Sequence, residues 1–334
     1  MLKNLWVIIT TINEPTSAVK KFEELSKLHN FNLLIVGDVT TPDKFDELDC
    51  TYLSIADQNL LFPKLSMLIP TRHYCRKNIG YAYAISKGAE YIFDTDDDNI
   101  PINDFFSLLV SSHASKKITS ESSHCNVYQN FTSAKVWPRG LPLDEISFEE
   151  YPESDIDAYR GPIMQFLADR EPDVDAIYRL IDNNQVFFNK SEKGVVLPIG
   201  VWCPFNSQAT LFHKSVFKNL YLPCHVPFRM TDIWRSFVAQ LALWSQRDLL
   251  SFHQPIVEQY RNEHNYMLDF VDEIEGYKFN KQICGALYDL LLNENAPEIT
   301  LSQAYKVMQD FGVIDTKEFE IIDEWCAVLN KITY

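Results

Sequence analysis

The chain has few of the features that mark flexible, secreted or membrane-spanning proteins. Only 10 of its 334 residues are glycine, which leaves no room for long Gly-rich linkers. Its seven cysteines form no Cys-x-x-Cys pair and no disulfide-dense pattern, so a reducing compartment fits best. The first apolar run, at residues 5–10, spans about six residues and is too short for a signal sequence or a membrane span. We therefore expect a soluble, cytoplasmic protein without an integral membrane segment.

Positive charge is also scarce. The chain has 30 basic and 46 acidic residues, and its formal net charge is −16. Nonspecific binding to nucleic acid or to an anionic membrane requires a cationic surface, so neither partner is expected. Hydrophobic residues make up 46% of the chain, which is enough for a large core in one domain with an appendage or in two domains. The oligomeric state stays open, including a homo-oligomer.

Short apolar runs alternate with helical patterns over the first hundred residues. Strands are expected at residues 5–10, 31–36 and 50–55 and from residue 91, with helices from residue 16 and over residues 75–86. This alternation predicts a largely parallel sheet covered by helices, with ligands bound beyond the carboxyl ends of the strands. The loops at 10–13, 37–38 and 94–99 should therefore converge.

The rest of the chain divides into two parts. Residues 135–228 are irregular and rich in Pro, Asn, Asp and aromatic residues, which predicts long loops with short strands. Helical patterns resume near Asp232 and continue beyond Arg261. We place a catalytic domain at residues 1–262 and a helical appendage at residues 263–334, whose apolar stripes indicate core packing rather than chemistry.

The most informative stretch is YIFDTDDDN at residues 91–99, where an apolar run leads into four clustered carboxylates. Carboxylates this close repel one another unless a metal ion, basic residues or open solvent compensates. Hard oxygen ligands suit magnesium, calcium or manganese, and magnesium-type sites commonly combine one or two carboxylates with the phosphates of a substrate. Nucleotide chemistry at a metal site is therefore the leading interpretation of this acidic loop (residues 94–99).

Other interpretations of the acidic loop are weaker. An EF-hand that begins at Asp94 needs glycine at its sixth position and glutamate at its twelfth, where the chain has Asn99 and Phe105. A phosphatase with an aspartyl nucleophile shares the strand followed by Asp-x-Asp, but a hydroxyl residue is expected in place of Asp98. A solvated acidic turn stays open, although the preceding strand disfavours it.

A basic segment precedes the acidic loop. Arg72 and Arg76 are predicted to lie one helical turn apart, and Lys77 and Asn78 follow. Such a helix can direct cations toward a diphosphate near the metal. A solvated basic helix face is the alternative.

Several ordered motifs together resemble those of STELLO-type glycosyltransferases. They are RKNIGY at 76–81, YIFDTDDD at 91–98, WPRGLPL at 137–143, DREPDVDAIYRL at 169–180, CPFNSQ at 203–208 and FRMTDIWR at 228–235. The similarity runs from about residue 6 to about residue 269, and it is expected to represent the catalytic unit alone, without a membrane anchor or further domains. A more distant likeness is to the reversibly glycosylated polypeptides, which are nucleotide-sugar mutases.

The resemblance implies an α/β fold of the GT-A, Rossmann-like kind, with a mixed, mostly parallel sheet flanked by helices. It also implies a nucleoside-diphosphate sugar, expected to be a UDP-sugar, whose diphosphate is held by Mn²⁺ or Mg²⁺ on Asp96 and Asp98. The donor-binding residues would be Thr10, Thr11, Asn13, Asp38, Arg76, Asn78, Asp96, Asp97, Arg139, Asn206 and Gln208. Trp202 and Ser207 would join Asn206 and Gln208 at the sugar or acceptor pocket.

Further roles follow from the chemistry of glycosyl transfer. Charge on the leaving diphosphate calls for guanidinium groups, and Arg76 and Arg235 are the candidates. An inverting enzyme needs a carboxylate that takes the proton of the acceptor hydroxyl, and Asp232 is the candidate, with a helix cap as the alternative role. His253, or in its place His264, is the candidate third metal ligand, and a structural histidine is the alternative.

The expected function is therefore a metal-dependent glycosyltransferase, with inversion, that acts on a saccharide or another hydroxyl acceptor. A nucleotide-sugar mutase, in which Arg139 itself becomes glycosylated, is one alternative. A catalytically silent binding module is the other, and intact Asp96, Asp98 and Asp232 argue against it.

Overall fold

The computed structural model of the chain describes residues 2–149, 151–190, 193–260, 265–293 and 299–333. Within these ranges the strands are β1 (Leu5–Thr10), β2 (Asn32–Val36), β3 (Thr51–Leu53), β4 (Tyr91–Thr95), β5 (Asn99–Pro101), β6 (Ala114–Ile118), β7 (Glu153–Tyr159), β8 (Ile163–Asp169), β9 (Gly194–Val196), β10 (Ala209–His213) and β11 (Ser251–Gln259). The helices are α1 (Ser17–His29), α2 (Ile55–Leu61), α3 (Pro63–Leu68), α4 (Lys77–Ser86), α5 (Phe105–Ser111), α6 (Ala176–Ile181), α7 (Thr231–Ser245), α8 (Tyr266–Asn293), α9 (Leu301–Asp310) and α10 (Glu318–Thr333).

All of these strands belong to one mixed sheet, in the order β3-β2-β1-β4-β10-β8-β11-β9-β6-β7, with β5 paired to β11. Strands β3, β2, β1 and β4 are parallel neighbours, and β10 lies antiparallel between β4 and β8. The predicted fold class, an α/β sheet flanked by helices of the GT-A, Rossmann-like kind, is confirmed.

The side chains of β1 alternate between two hydrophobic cores, as the two-residue period of a strand requires. Ile8 joins the core that contains α4, whereas Val7 and Ile9 join the core that contains α1. Gly80 allows α4 to approach the sheet closely, because a Cβ atom there would lie 2.5 Å from Cγ2 of Val36. Burial on both faces explains why the parallel strands read as nearly continuous apolar runs.

Two short helices, α2 and α3, were not among the predicted elements. Ser54 and Asp57 form a reciprocal capping box at the start of α2, and Pro63 occupies the first turn of α3. These are local start signals, but each helix has only about two turns and so too few residues to show a helical hydrophobic period. Both helices precede α4 and contact the basic segment that leads into it.

The C-terminal helices pack onto the rest of the molecule through a shared core. Leu287 of α8, Tyr305 of α9 and Trp325 of α10 belong to the same hydrophobic cluster as Trp234 of α7. The division at residue 262 stays a prediction, because that boundary lies outside the described residues. In the described part of the chain, no helix has both the length and the hydrophobicity needed to cross a bilayer.

Candidate functional site

A cavity of about 200 Å³ opens at the sheet edge where β1 and β4 end. It is lined by Thr10, Tyr74, Asp96, Asp97, Asp98, Arg139, Asp173, Gln208, Phe228, Arg229, Asp232 and Gln259. Five of these side chains are carboxylates and two are guanidinium groups. The fold thus brings the acidic loop and the start of α7 to one space, which we call the acidic cavity.

The loop after β1 anchors the acidic loop. Thr11 donates a hydrogen bond to the carboxylate of Asp97, and Asn13 donates to the same oxygen at 2.9 Å. The hydroxyl of Thr16 donates to the backbone carbonyl of Asp97. Thr11 and Asn13 therefore position the acidic loop, while Thr10 itself lines the cavity.

Lys77 places a buried positive charge behind the acidic loop. Its Nζ atom donates to Asp94 Oδ1 at 2.8 Å, to Asp96 Oδ1 at 2.9 Å and to the carbonyl of Thr95 at 2.7 Å. Burial disfavours the charged form of Lys77, but the carboxylates of Asp94 and Asp96 outweigh it and raise the pKa of Lys77. Part of the charge compensation that the loop requires is therefore built into the protein.

That compensation is incomplete at Asp96. Burial, with smaller contributions from Asp98 and Asp94, raises the pKa of Asp96 to about 7 even though Lys77 acts in the opposite direction. A carboxyl group with a raised pKa is destabilised in its charged form, and a bound divalent cation relieves this destabilisation. The environment of Asp96 therefore fits a metal ligand.

Asp98 is held by the end of β11. Gln259 Nε2 donates to Asp98 Oδ2 at 2.9 Å, and the amide of Tyr260 donates to the carbonyl of Asp98 at 3.2 Å. Among the described residues, no three or more His, Cys, Asp or Glu side chains are arranged to hold a metal by themselves. Two carboxylates fit Mg²⁺ or Mn²⁺ when phosphate oxygens and water complete the coordination.

A buried ion-pair network holds Asp232. Arg139 Nη2 donates to the two carboxylate oxygens of Asp232 at 3.0 and 3.1 Å and to Asp173 at 2.7 Å. The amide of Ser207 donates to Asp232 Oδ2 at 3.2 Å. Burial opposes the charge of Arg139, but Asp173 and Asp232 more than offset it and raise the pKa of Arg139 well above its usual value.

Asp232 is the second residue of α7, and the N-cap position belongs to Met230. The carboxylate is turned toward Arg139 and Ser207. The alternative role as a helix cap is therefore not the one that the structure shows.

Arg76 does not reach the acidic cavity. Its side chain is 1% exposed, and the guanidinium group donates to the side chains of Gln58 and Ser66 and to the carbonyl of Ile69. Arg72 lies in an exposed turn with φ of 55° rather than on a shared helix face. The expected contacts of Arg76 with a diphosphate are corrected: it joins α2 and α3 to the start of α4.

Asn78 and Arg235 also have structural contacts. Asn78 exchanges hydrogen bonds with the backbone of Leu222, both at 2.8 Å. Arg235 donates to Asp94 Oδ2 and to Ser207 Oγ, each at 2.8 Å. Neither residue lines the acidic cavity, so the expected direct contact with a donor or leaving group is corrected. Asn78 joins α4 to the backbone at Leu222, and Arg235 joins α7 to β4.

The segment at 202–208 contributes one lining residue. Gln208 lines the cavity, whereas Asn206 turns inward and accepts a hydrogen bond from the amide of Gln208 at 3.0 Å. Trp202 is 1% exposed and packs against Trp244, with ring centroids 4.3 Å apart. Neither Trp202 nor Asn206 is among the described residues that line the acidic cavity, which corrects their expected place on its surface.

Asp38 lies beside a second, larger cavity of about 710 Å³, which we call the Asp38 cavity. Its carboxylate accepts hydrogen bonds from the amides of Val39 at 2.6 Å and His73 at 3.1 Å. Thr41, which also lines this cavity, donates to the carbonyl of Thr11 at 2.6 Å. The loops after β1, β2 and β4 therefore meet at one edge of the sheet.

His253 lies away from the acidic loop. Its Nε2 atom is 2.9 Å from Ser251 Oγ, and the residue precedes Gln259 by six positions on β11. Six residues of strand span roughly 20 Å, so His253 is too far from Asp98 to share a cation with it, and that assignment is corrected. His264, the competing candidate, lies outside the described residues.

His253 has a consequence for acid stability instead. Burial lowers the pKa of His253 to about 3 from 6.5, with Arg160 and His113 adding to the shift. Because the folded-state pKa lies below the unfolded value, the neutral ring contributes stability above pH 6.5 that is lost as the pH falls toward 3. His253→Gln should reduce the loss of unfolding free energy between about pH 7 and pH 4.5 by roughly 2 to 3 kcal/mol.

Urea denaturation at the two pH values measures this loss. An equal loss in His253→Gln and wild type would contradict a neutral buried ring.

Several residues of the site were not assigned from the sequence. Lys77, Asp173 and Arg229 lie inside the segments RKNIGY, DREPDVDAIYRL and FRMTDIWR, so those motifs contained a signal for them. Gln259 had no sequence signal. It reaches the cavity only because β11 pairs with β5, which follows the acidic loop.

Comparisons with known proteins agree with the motifs. Residues 229–314 match the family model described as STELLO glycosyltransferases. "Probable glycosyltransferase STELLO2" of Arabidopsis thaliana is 29% identical over 297 residues, which cover 83% of this chain and 37% of the relative. "Probable glycosyltransferase STELLO1" of the same plant is 29% identical over 294 residues, 82% of this chain and 36% of the relative.

The chain spans little more than a third of the length of these two relatives. The family-model match begins at Arg229, at the edge of the acidic cavity, and continues through α7 and α8 into α9 and the loop that follows it. The resemblance expected from the sequence motifs is thereby confirmed: this chain is similar to the STELLO glycosyltransferases over most of its length.

Proposed function

We propose that the chain is a metal-dependent glycosyltransferase, which transfers a sugar from a nucleoside diphosphate, expected to be UDP, to a hydroxyl group of an acceptor. One observation carries the proposal: Asp96 and Asp98 from one loop and Asp232 from the start of α7 line the same cavity. The similarity to two proteins named as probable glycosyltransferases supports the reaction class.

Asp96 and Asp98 are the residues that would hold Mn²⁺ or Mg²⁺. When bound, such a cation neutralises the charge that accumulates on a leaving nucleoside diphosphate. Lys77 binds Oδ1 of Asp96 and Gln259 binds Oδ2 of Asp98, so both carboxylates are oriented before a ligand arrives. The Asp38 cavity, with about 710 Å³ of space beside the loop after β2, is our candidate for the nucleoside.

Asp232 is the proposed general base. It takes the proton from the acceptor hydroxyl as that oxygen attacks the sugar, and an inverting transfer requires this base on the face opposite the leaving group. Arg139 fixes the carboxylate through both oxygens, which limits its rotation. Ser207 adds a backbone amide to the same carboxylate.

The geometry of Arg139 disfavours the mutase alternative. Its guanidinium group is bound to Asp173, to Asp232 and to the carbonyl of Arg229. A sugar could become attached to this side chain only after several charge-assisted hydrogen bonds were broken. Arg139 is better explained as a residue that positions Asp232.

Incubation with Mn²⁺ and a panel of UDP-sugars, without acceptor, separates the two reactions. A glycosyltransferase should release UDP slowly by transfer to water, whereas a mutase should interconvert the ring forms of the sugar. Chromatography with mass detection follows both products. Ring interconversion without UDP release would contradict the proposal in favour of the mutase.

Asp98→Asn should remove metal-dependent binding of UDP. A neutral amide is a weaker ligand for a hard cation than a carboxylate, and we expect a loss of affinity of about tenfold or more. Isothermal titration calorimetry with UDP, in the presence and absence of Mn²⁺, measures it. Asp104→Asn, a matched change at an exposed position after β5, should bind as the wild type does, and unchanged affinity in Asp98→Asn would refute the assignment.

A further inference from the structure

The acidic cavity contains two guanidinium groups among its described lining residues, and they differ in how many of their nitrogen atoms are already bound. In Arg139, Nε and Nη2 donate to Asp173, Nη2 also donates to Asp232, and Nη1 donates to the carbonyl of Arg229. All three nitrogens of Arg139 therefore have protein acceptors, so this residue has little capacity left for a ligand.

Arg229 has a different arrangement. Arg229 is 8% exposed, its Nε donates to Glu273 at 2.8 Å, and its Nη2 lies 2.8 Å from Glu273 and 3.2 Å from the carbonyl of Val174. These contacts occupy one edge of the planar group. Among the described residues, Nη1 of Arg229 has no protein acceptor, and this residue lines the cavity.

Glu273 fixes the direction of that guanidinium group. It is 1% exposed and belongs to α8, in the helical region that appeared from the sequence to carry no chemistry. Besides Arg229, its carboxylate accepts hydrogen bonds from the amide of Ala176 at 2.8 Å and from the hydroxyl of Tyr277 at 2.5 Å. The four donor atoms around the Glu273 carboxylate fix its orientation. The carboxylate in turn fixes the plane of the Arg229 guanidinium group.

We propose that Arg229 is the residue of this chain that binds a phosphate oxygen of the donor's diphosphate, through Nη1, and that Glu273 is its positioning residue. The inference rests on the proposed function. It assigns to Arg229 the part that sequence reasoning gave to Arg76 and Arg235, both of which are engaged elsewhere.

Charge in the cavity gives the physical reason. Five carboxylates line the cavity, and Arg139 is committed to two of them. A diphosphate that enters this cavity needs a cationic group with free hydrogen-bond donors. The guanidinium group of Arg229 is bound along one edge only, so its other edge can still donate to a phosphate oxygen. Because Arg229 is buried and paired, little side-chain freedom is lost when it binds.

The position of Arg229 relative to the proposed base strengthens the assignment. Asp232 follows three residues later, and the backbone between them is held by the bond from Arg139 Nη1 to the carbonyl of Arg229. Arg229 and Asp232 thus belong to one short segment, and the hydrogen bonds of Arg139 hold that segment in place.

The test uses inorganic pyrophosphate, which presents a diphosphate without a sugar or a base. Titration calorimetry with pyrophosphate and Mn²⁺ is carried out on the full chain as wild type, Arg229→Met and Arg229→Lys. We expect affinity to fall about tenfold or more in Arg229→Met, since a hydrogen bond between charged groups is lost. Arg247→Met, at an exposed position two residues after the end of α7, is the charge-matched control and should bind as the wild type does.

Arg229→Lys keeps a cation beside Glu273 and so protects the fold if Arg229→Met fails to fold. A single ammonium group held by Glu273 cannot replace the second edge of the guanidinium fork, so we expect about a threefold or greater loss of pyrophosphate affinity. Thermal unfolding confirms that each variant is folded before titration.

The outcomes separate the two proposals. A wild type that does not bind pyrophosphate with Mn²⁺ would overturn the proposed function and this inference together. A wild type that binds, with Arg229→Lys or a folded Arg229→Met binding equally well, would overturn the role of Arg229 alone. Loss of pyrophosphate affinity in both variants, with binding unchanged in Arg247→Met, supports the assignment.

Discussion

Replacing Asp232 by asparagine is expected to lower the turnover number of the proposed transfer about 100- to 10,000-fold, the usual contribution of a general base. The amide keeps the size of the side chain and one oxygen for Arg139 and Ser207, but it cannot take a proton from the acceptor. Binding of UDP with Mn²⁺ should stay close to the wild-type value, because Asp96 and Asp98 are unchanged. Release of UDP from the active UDP-sugar, together with calorimetry, measures both quantities.

Two controls isolate the loss of the base. Asp144→Asn removes an exposed carboxylate that pairs with Lys281, and turnover should be unaffected. Thermal unfolding of Asp232→Asn shows whether the loss of one charge beside Arg139 has disturbed the fold. Full turnover by a folded Asp232→Asn protein would remove this residue from the mechanism.

Lys77→Met is expected to produce the largest loss of stability. The substitution removes the buried partner of Asp94 and Asp96, and a carboxylate left without its partner inside a protein typically costs about 3 to 5 kcal/mol. Arg235 still pairs with Asp94 at 2.8 Å, so the unfolding free energy should fall toward the lower end of that range. Urea denaturation monitored by circular dichroism measures the change.

Lys87→Met is the matched control for this experiment. Lys87 follows α4 directly and is exposed, so the same chemical change there should alter stability by less than about 0.5 kcal/mol. A loss below about 1 kcal/mol in Lys77→Met would show that open solvent, rather than the lysine, balances the acidic loop.

Arg76 and Lys77 show which features of the site the sequence could predict and which it could not. Both residues lie in one basic segment, and the sequence interpretation gave the diphosphate contact to Arg76 because guanidinium groups bind phosphate well. The structure reverses the assignment, since Gln58 and Ser66 bind Arg76 while Lys77 reaches Asp94 and Asp96. Adjacent positions on a helical segment point in different directions, and packing of α2 and α3 decides which one meets the loop.

His253 and Arg229 show, over longer distances in the chain, that the sequence alone does not predict which groups a side chain will contact. His253 lies in an apolar run whose end does reach the acidic loop, but the length of β11 carries the histidine itself to the far end of the strand. Arg229 is oriented by Glu273, which is 44 positions away in the chain. The contact between Arg229 and Glu273 depends on how α8 packs, and no local sequence pattern predicts it.

The sequence by itself determined the parallel strand core, the acidic loop after β4, the convergence of three loops at one sheet edge, and the likeness to the STELLO glycosyltransferases. These features follow from local hydrophobic periods and ordered motifs, which act within a few residues. Only the tertiary structure determined which charged groups face the acidic cavity and which form buried ion pairs that stabilise the fold. A buried charge needs a partner, and packing determines which groups lie close enough to be that partner.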